Sequence, residues 1–296
     1  TSLQAIGGWH DAGDYGKYVV TTSVAIAEVL DSYQRAPQRY QDNQLRIPES
    51  GNGTADLLDE MKVGMTWLLT IQRQDGAVYR KLSGSKWPSV VSPDMDQQKR
   101  YIYGVSSPET AKFAGVMAQA AKVFQTSDPS LAKTYQHAAE QAWQWLATVK
   151  EQQRIDWYAE DDHGSGKYLY SEVDQEPSLL TDEDDRVWAA TELWLLTRQG
   201  FYLDYIKSKM PYLKDNLALF EWKNPVLLAV MHLIQDQQFP HQLRQQLTQA
   251  FLQLAQQSLQ RSQLSQFGIA NHRFVWGSNK MVAEEGRILM FAYHLT

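Results

Sequence analysis

Two carboxylates three residues apart, Asp11 and Asp14, stand in the segment Gly7-Gly8-Trp9-His10-Asp11-Ala12-Gly13-Asp14-Tyr15-Gly16-Lys17-Tyr18. Glycines at 8, 13 and 16 bracket them, and aromatic residues flank them. Glycine opens backbone conformations closed to other residues and lets a ligand or another chain come close. Within one turn, residues i and i+3 share a face, so both carboxylates would point at one spot. That arrangement suits activation of a water molecule, with the aromatics as flat surfaces for a sugar ring. The alternative is structural, because Asp is common in glycine-rich turns, where its side chain caps backbone groups. Spacing alone leaves the two readings level.

The elements that must carry this segment read as helices. Val24, Ala27, Leu30 and Tyr33 recur at helical spacing over residues 22–36, and Pro37 ends that run. Residues 38–53 form a polar loop. Thr54 is the expected cap of the next helix, with Asp56, Asp59 and Glu60 in its first turns, where acidic side chains suit the dipole. Residues 77–106 lack a helical period and hold Trp87, Tyr101 and Tyr103; so long an irregular stretch reads as the wall of an open substrate cleft. Ser107-Pro108-Glu109 starts a helix with a small-residue face of Ala111, Ala114, Gly115, Ala118 and Ala121. Asp128-Pro129 starts its antiparallel partner. Thr181-Asp182-Glu183-Asp184 reads as a capping box with a structural role. Asn224-Pro225 opens a helix to about 234, Leu243 to Leu254 mark another, and Asn279 caps the last. Roughly nine helices with little strand point to an all-α toroid in one domain, residues 1–296.

The segment around Asp11 and Asp14 resembles the signature of the family 9 glycoside hydrolases, which include cellulases. Further segments carry the likeness: Ile47-Pro48-Glu49-Ser50-Gly51-Asn52-Gly53, Asp56-Leu57-Leu58-Asp59-Glu60-Met61-Lys62, residues 72–79, Ser106-Ser107-Pro108-Glu109-Thr110-Ala111, and Phe274-Val275-Trp276-Gly277-Ser278-Asn279. The resemblance implies an (α/α)6 barrel of six inner and six outer helices, and the shortfall of helices implies that the barrel is incomplete in this chain. It also implies inverting hydrolysis of β-1,4 bonds in cellulose-type glucan, with Asp14 as general base and Asp11 helping to hold the nucleophilic water. An inverting pair stands roughly 6.5–9.5 Å apart to accommodate that water. The family's acid is a glutamate near the C-terminus in an Asn-Glu setting, after a His-His-Arg segment. Neither motif occurs here, which leads us to expect that the chain stops before them. Glu284 and Glu285 come nearest in sequence position, and Glu49 and Glu109 fall in segments matched elsewhere.

Other functional candidates have structural alternatives beside them. Trp276, Trp87, Tyr101 and Tyr103 suit stacking on sugars, and equally suit core packing. His10 suits orienting Asp11 or binding substrate, and equally a structural hydrogen bond. Lys17 is read as a partner for a signature carboxylate or as surface. Asp161-Asp162-His163-Gly164 has ligand types for a divalent ion, and some family members bind calcium; the competing reading is a solvated loop. The reaction itself requires no cofactor.

Composition narrows the partners. A net charge of -6 and a pI near 5.7 give no electrostatic footprint for nucleic acid or an anionic membrane. No apolar run approaches the roughly 20 residues of a membrane span. The absence of cysteine excludes disulfides, thiolate metal sites and Cys nucleophiles. A β-linked oligo- or polysaccharide remains as the partner, and a polymer that cannot cross a membrane implies a secreted or periplasmic enzyme. The His-Asp-Ala-Gly-Asp-Tyr-Gly-Lys-Tyr variant resembles a subgroup often preceded by an immunoglobulin-like domain. That subgroup includes chain-end exo-β-glucosidases and exo-β-glucosaminidases, the first alternative to an endoglucanase. A non-catalytic carbohydrate-binding protein is the second.

Overall fold

The computed structural model describes residues 2–84, 88, 90–151, 181–274 and 277–296. Most of these lie in ten α-helices: α1 (Val19–Arg35), α2 (Asp56–Thr70), α3 (Ser107–Phe124), α4 (Pro129–Thr148), α5 (Glu183–Thr197), α6 (Gly200–Ser208), α7 (Met210–Asp215), α8 (Val226–Gln235), α9 (His241–Leu264) and α10 (Ser278–Leu295). Three short strands, β1 (Lys17–Tyr18), β2 (Lys81–Ser83) and β3 (Tyr101–Ile102), form an antiparallel sheet in that order. Leu82 stands opposite both Lys17 and Ile102. The sheet ties the signature segment to the irregular stretch 77–106.

Helix α3 lies at the centre, packed against α1, α4 and α5. Its small residues let the neighbours close in. A Cβ on Gly115 would come within 2.9 Å of the Trp188 ring of α5. Phe113, Val116, Met117 and Phe124 are fully buried around it, each stabilising the fold by about 1.5–3 kcal/mol relative to exposure.

Charged groups also enter this interior, several of them in pairs or clusters. Lys112 of α3 donates to the Asp185 carboxylate of α5, and both are buried. Burial raises the Asp185 pKa, reinforced by neighbouring Asp184 and opposed by the Lys112 charge. His232 of α8 sits between two carboxylates, with Nδ1 2.6 Å from Glu192 Oε1 of α5 and Nε2 3.1 Å from Asp31 Oδ1 of α1. Asp31 also accepts from Arg35 at 2.8 Å and faces Arg287 of α10 at 3.6 Å. This cluster joins four helices.

Several expected helix ends lie elsewhere. Thr54 does not cap α2; Ala55 occupies that position without a side-chain cap. The Asp56 carboxylate instead turns to the preceding loop, accepting from the amides of Asn43 and Leu45 at 3.0 and 2.6 Å. The cap of α3 is Ser106 rather than Ser107. Asp128 caps α4 as read, accepting from Leu131 N. The capping box before α5 does not form. Its cap residue is Asp182, whose carboxylate takes Arg186 at 2.9 Å. Helix α10 begins at Ser278 after Gly277 at φ +79°, so Asn279 lies inside it. Among the described residues no helix is long and apolar enough to cross a membrane.

Candidate active site

Asp11 and Asp14 are presented by a tight turn, not by a helix. Asp11 N donates to Gly16 O at 2.8 Å and Tyr15 N to Ala12 O at 3.0 Å, with Tyr15 at φ +55°. The turn is anchored from below by aromatic packing. Gly8 adopts φ +71°, and a Cβ there would come within 2.7 Å of the Trp67 side chain of α2. Trp9 lies over Gly64, where a Cβ would meet its ring at 2.4 Å, and its indole donates to Glu60 at 2.8 Å. The glycines at 8 and 64 are therefore sites of close approach between the signature and α2.

The two carboxylates have different surroundings. Asp14 is 7% exposed. Its Oδ2 accepts from the Tyr18 hydroxyl at 2.5 Å and its Oδ1 from the Gly16 amide at 3.0 Å. A carboxylate offers about four lone-pair sites, so two acceptor positions remain for a water. Asp11 is exposed as a residue, yet its carboxyl is crowded by the turn. That desolvation raises its pKa, helped by the Asp14 charge and opposed by a hydrogen bond from Thr21. The arrangement is an anchored acceptor beside a second, partly desolvated carboxyl.

A cleft of about 900 Å³ opens beside this turn, between residues 2–7, His10, Lys17, Tyr79, Leu82 and residues 99–102. His10 lines it with its ring 5.4 Å from that of Tyr15. Burial lowers the His10 pKa, reinforced by Lys17 and Arg100. Tyr101 lines it too, 42% exposed, with Lys99 Nζ 5.3 Å from its ring centre. Tyr103 does not stand in the cleft. It is buried, its hydroxyl donates to Gly84 O at 2.9 Å, and Lys81 covers its ring at 4.5 Å. Trp87 and Trp276 lie outside the described residues, as do Asp161, Asp162 and His163. Lys17 pairs with neither signature carboxylate, Asp11 or Asp14, among the described contacts; it donates to Gly7 O.

Three of the four glutamates considered for the acid make structural contacts. Glu109 receives the Ser106 hydroxyl at the start of α3. Glu284 pairs with Arg287 at 2.9 Å and Glu285 with Arg261 at 2.8 Å. The residues missed from the sequence are Tyr18 and Arg100. Arg100 braces the turn, donating to Tyr15 O at 2.5 Å while pairing with Asp96 at 3.2 Å. A tyrosine four residues after Asp14 was visible, but its hydroxyl bond to that carboxylate was not.

Comparison with known proteins decides the family. The chain matches the description "Glycosyl hydrolase family 9" over residues 1–296. It belongs to glycosyl hydrolase family 9. It is 28% identical to Endoglucanase D of Acetivibrio thermocellus over 99% of this chain and 46% of that protein. It is 29% identical to a xyloglucan-specific endo-beta-1,4-glucanase of Bacteroides ovatus, over 99% of this chain and 51% of that one. A crystal structure of a metagenome-derived family 9 endoglucanase superposes with a TM-score of 0.88 at 42% identity, covering 100% of this chain and 52% of that chain. The chain thus spans about half the length of these relatives. Solved family 9 structures are (α/α)6 barrels, and the helices described here form part of that architecture.

Proposed function

We propose that this chain supplies the base side of an inverting glycoside hydrolase acting on β-1,4-glucan as an endoglucanase. The observation that carries the proposal is the Asp14 carboxylate, fixed by the Tyr18 hydroxyl and the Gly16 amide, in the turn between His10 and Lys17, which both line the cleft. In this reading Asp14 accepts the proton of a water that Asp11 helps to hold, and the water attacks the anomeric carbon. His10 and Tyr101 face the sugar. The leaving oxygen takes its proton from an acid that lies outside the residues assigned here. Two carboxylates and water carry the reaction, so no cofactor takes part.

The relatives include an endoglucanase and a xyloglucan-specific glucanase, which supports a β-glucan substrate. A polymeric substrate supports a secreted or periplasmic location, and a single catalytic domain with an immunoglobulin-like neighbour remains part of the proposal. The test is hydrolysis of cello-oligosaccharides and mixed-linkage β-glucan by the full-length protein and by Asp14→Asn. Release of internal fragments, reduced by about 10³-fold or more in the variant, is expected for loss of a general base that also positions the water. Binding of oligosaccharide without hydrolysis by the full-length protein would favour the carbohydrate-binding reading instead.

A further inference from the structure

The cleft beside the Asp11–Asp14 turn has a charge that a neutral glucan does not explain. Its lining includes Lys17, Lys99 and Arg100, and no Asp or Glu among the described lining residues. The whole chain, by contrast, carries a net charge of -6. The cations are not randomly waving surface groups. Lys17 is fixed on β1 by Gly7 O. Arg100 is fixed by Tyr15 O and Asp96. Lys99 stands over Tyr101, the exposed aromatic of the cleft.

Asp96 partners Arg100, and Asp11 and Asp14 lie in the adjoining turn, but none of these three carboxylates is among the described residues that line the cleft. The positive charge of the lining is felt locally. Burial lowers the Lys17 pKa, and the Arg100 charge lowers it further. Like charges gathered in a concave, partly desolvated site raise the local concentration of the opposite charge. A sugar bearing only hydroxyls would remove water from these ammonium groups without supplying a counter-charge. A carboxylate on the sugar would form charge-assisted hydrogen bonds instead. An amino sugar would be repelled.

We propose that this cleft accepts an acidic β-glycan, one carrying uronic-acid carboxylates, with Lys17, Lys99 and Arg100 as the residues that select it. The proposal rests on the glycoside hydrolase reading and adds the substrate class to it. Lys17 is three residues from Asp14, so the selected carboxylate would belong to a sugar near the scissile bond.

The test measures binding and hydrolysis of three oligosaccharides of equal length by the full-length protein: neutral cello-oligosaccharide, one bearing a glucuronate unit, and one bearing a sulfate ester. The glucuronate oligomer is expected to bind about tenfold tighter than the neutral one at low salt, as for a few partly exposed charge contacts. The advantage shrinks toward unity at high ionic strength. Lys99→Gln lowers the ratio of the two affinities about threefold, whereas Lys207→Gln on the exposed face of α6 leaves it unchanged. Lys99 is exposed, so its replacement does not threaten the fold. Equal binding of neutral and glucuronate oligomers would overturn the proposal while leaving the hydrolase reading intact. A sulfate ester preferred over glucuronate would overturn the carboxylate assignment. Failure to hydrolyse any of the three would sink the hydrolase reading, and the affinity ratio would still decide the charge preference.

Discussion

The buried His232 cluster sets a stability limit on the alkaline side. His232 lies between Glu192 and Asp31, with Arg35 and Arg287 beyond Asp31 and Glu284 paired to Arg287. Burial, the largest influence, pulls the imidazolium pKa down. The two carboxylates outweigh it and raise the value from 6.5 to about 9. A rise of this size corresponds to about 3 kcal/mol of folding stability. The sign follows from the direction of the shift. The contribution is complete below the unfolded value near 6.5 and is lost as pH climbs to about 9. Between those limits this one group predicts a loss of about 1.4 kcal/mol per pH unit. Asp31, held below the ordinary carboxylate range by His232 and Arg35 despite its burial, adds stability that disappears only in strong acid. The assay is urea unfolding followed by circular dichroism at pH 6, 8 and 10, for wild type and His232→Gln. The variant leaves two buried carboxylates without their shared cation, a change of the kind that costs about 3–5 kcal/mol. Its deficit should be largest at pH 6 and should shrink at pH 10, where wild type has also lost the charge. An equal deficit at pH 6 and pH 10 would refute the assignment of a buried imidazolium.

Three further outcomes are expected. Tyr18→Phe removes the hydroxyl that fixes Asp14 Oδ2; a hydrogen bond to a charged group is worth about 1.5–3 kcal/mol, so kcat should fall about 10- to 100-fold with little change in KM. Gly8→Ala forces a side chain into φ +71° against Trp67 and should lower stability by about 2 kcal/mol or more, read as a lower urea midpoint. Lys112→Met strands Asp185 in the α3–α5 interface and should cost about 3–5 kcal/mol at pH 7. Adding Asp185→Leu should restore part of that loss, because one of the buried carboxylates that face Lys112, Asp184 being another, is then gone.

The helices were legible where punctuation and period agreed. Asp128-Pro129 marks α4 because the carboxylate caps the Leu131 amide and Pro129 needs no amide partner. The small-residue run of α3 predicted close packing, and Trp188 against Gly115 is its physical content. Caps were less legible, because several polar groups compete for one helix end. Asp56 and Asp182 spend their carboxylates on a loop and an arginine instead. Helices α6 and α7 escaped notice because Gly200 and Pro211 punctuate a short stretch. The sheet was invisible, since strands of two and three residues carry no readable alternation. It matters most for the site, because strand pairing places Tyr18, Leu82 and Tyr101 around the Asp11–Asp14 turn. The Asp11–Asp14 turn itself was legible in its glycine pattern, whereas spacing alone left its role level between catalysis and capping. The charge of the cleft was not, because Lys17 and Arg100 are 83 positions apart in the chain.

The most direct test of the central claim follows the anomeric configuration of the first product by proton NMR, using cellotetraose and the full-length protein. An Asp14 base acting on water across the ring from the leaving group gives the α-anomer from a β-linkage, and Asp14→Asn abolishes its appearance. A β-anomer as first product, or an Asp14→Asn variant that hydrolyses at the wild-type rate, would contradict the account.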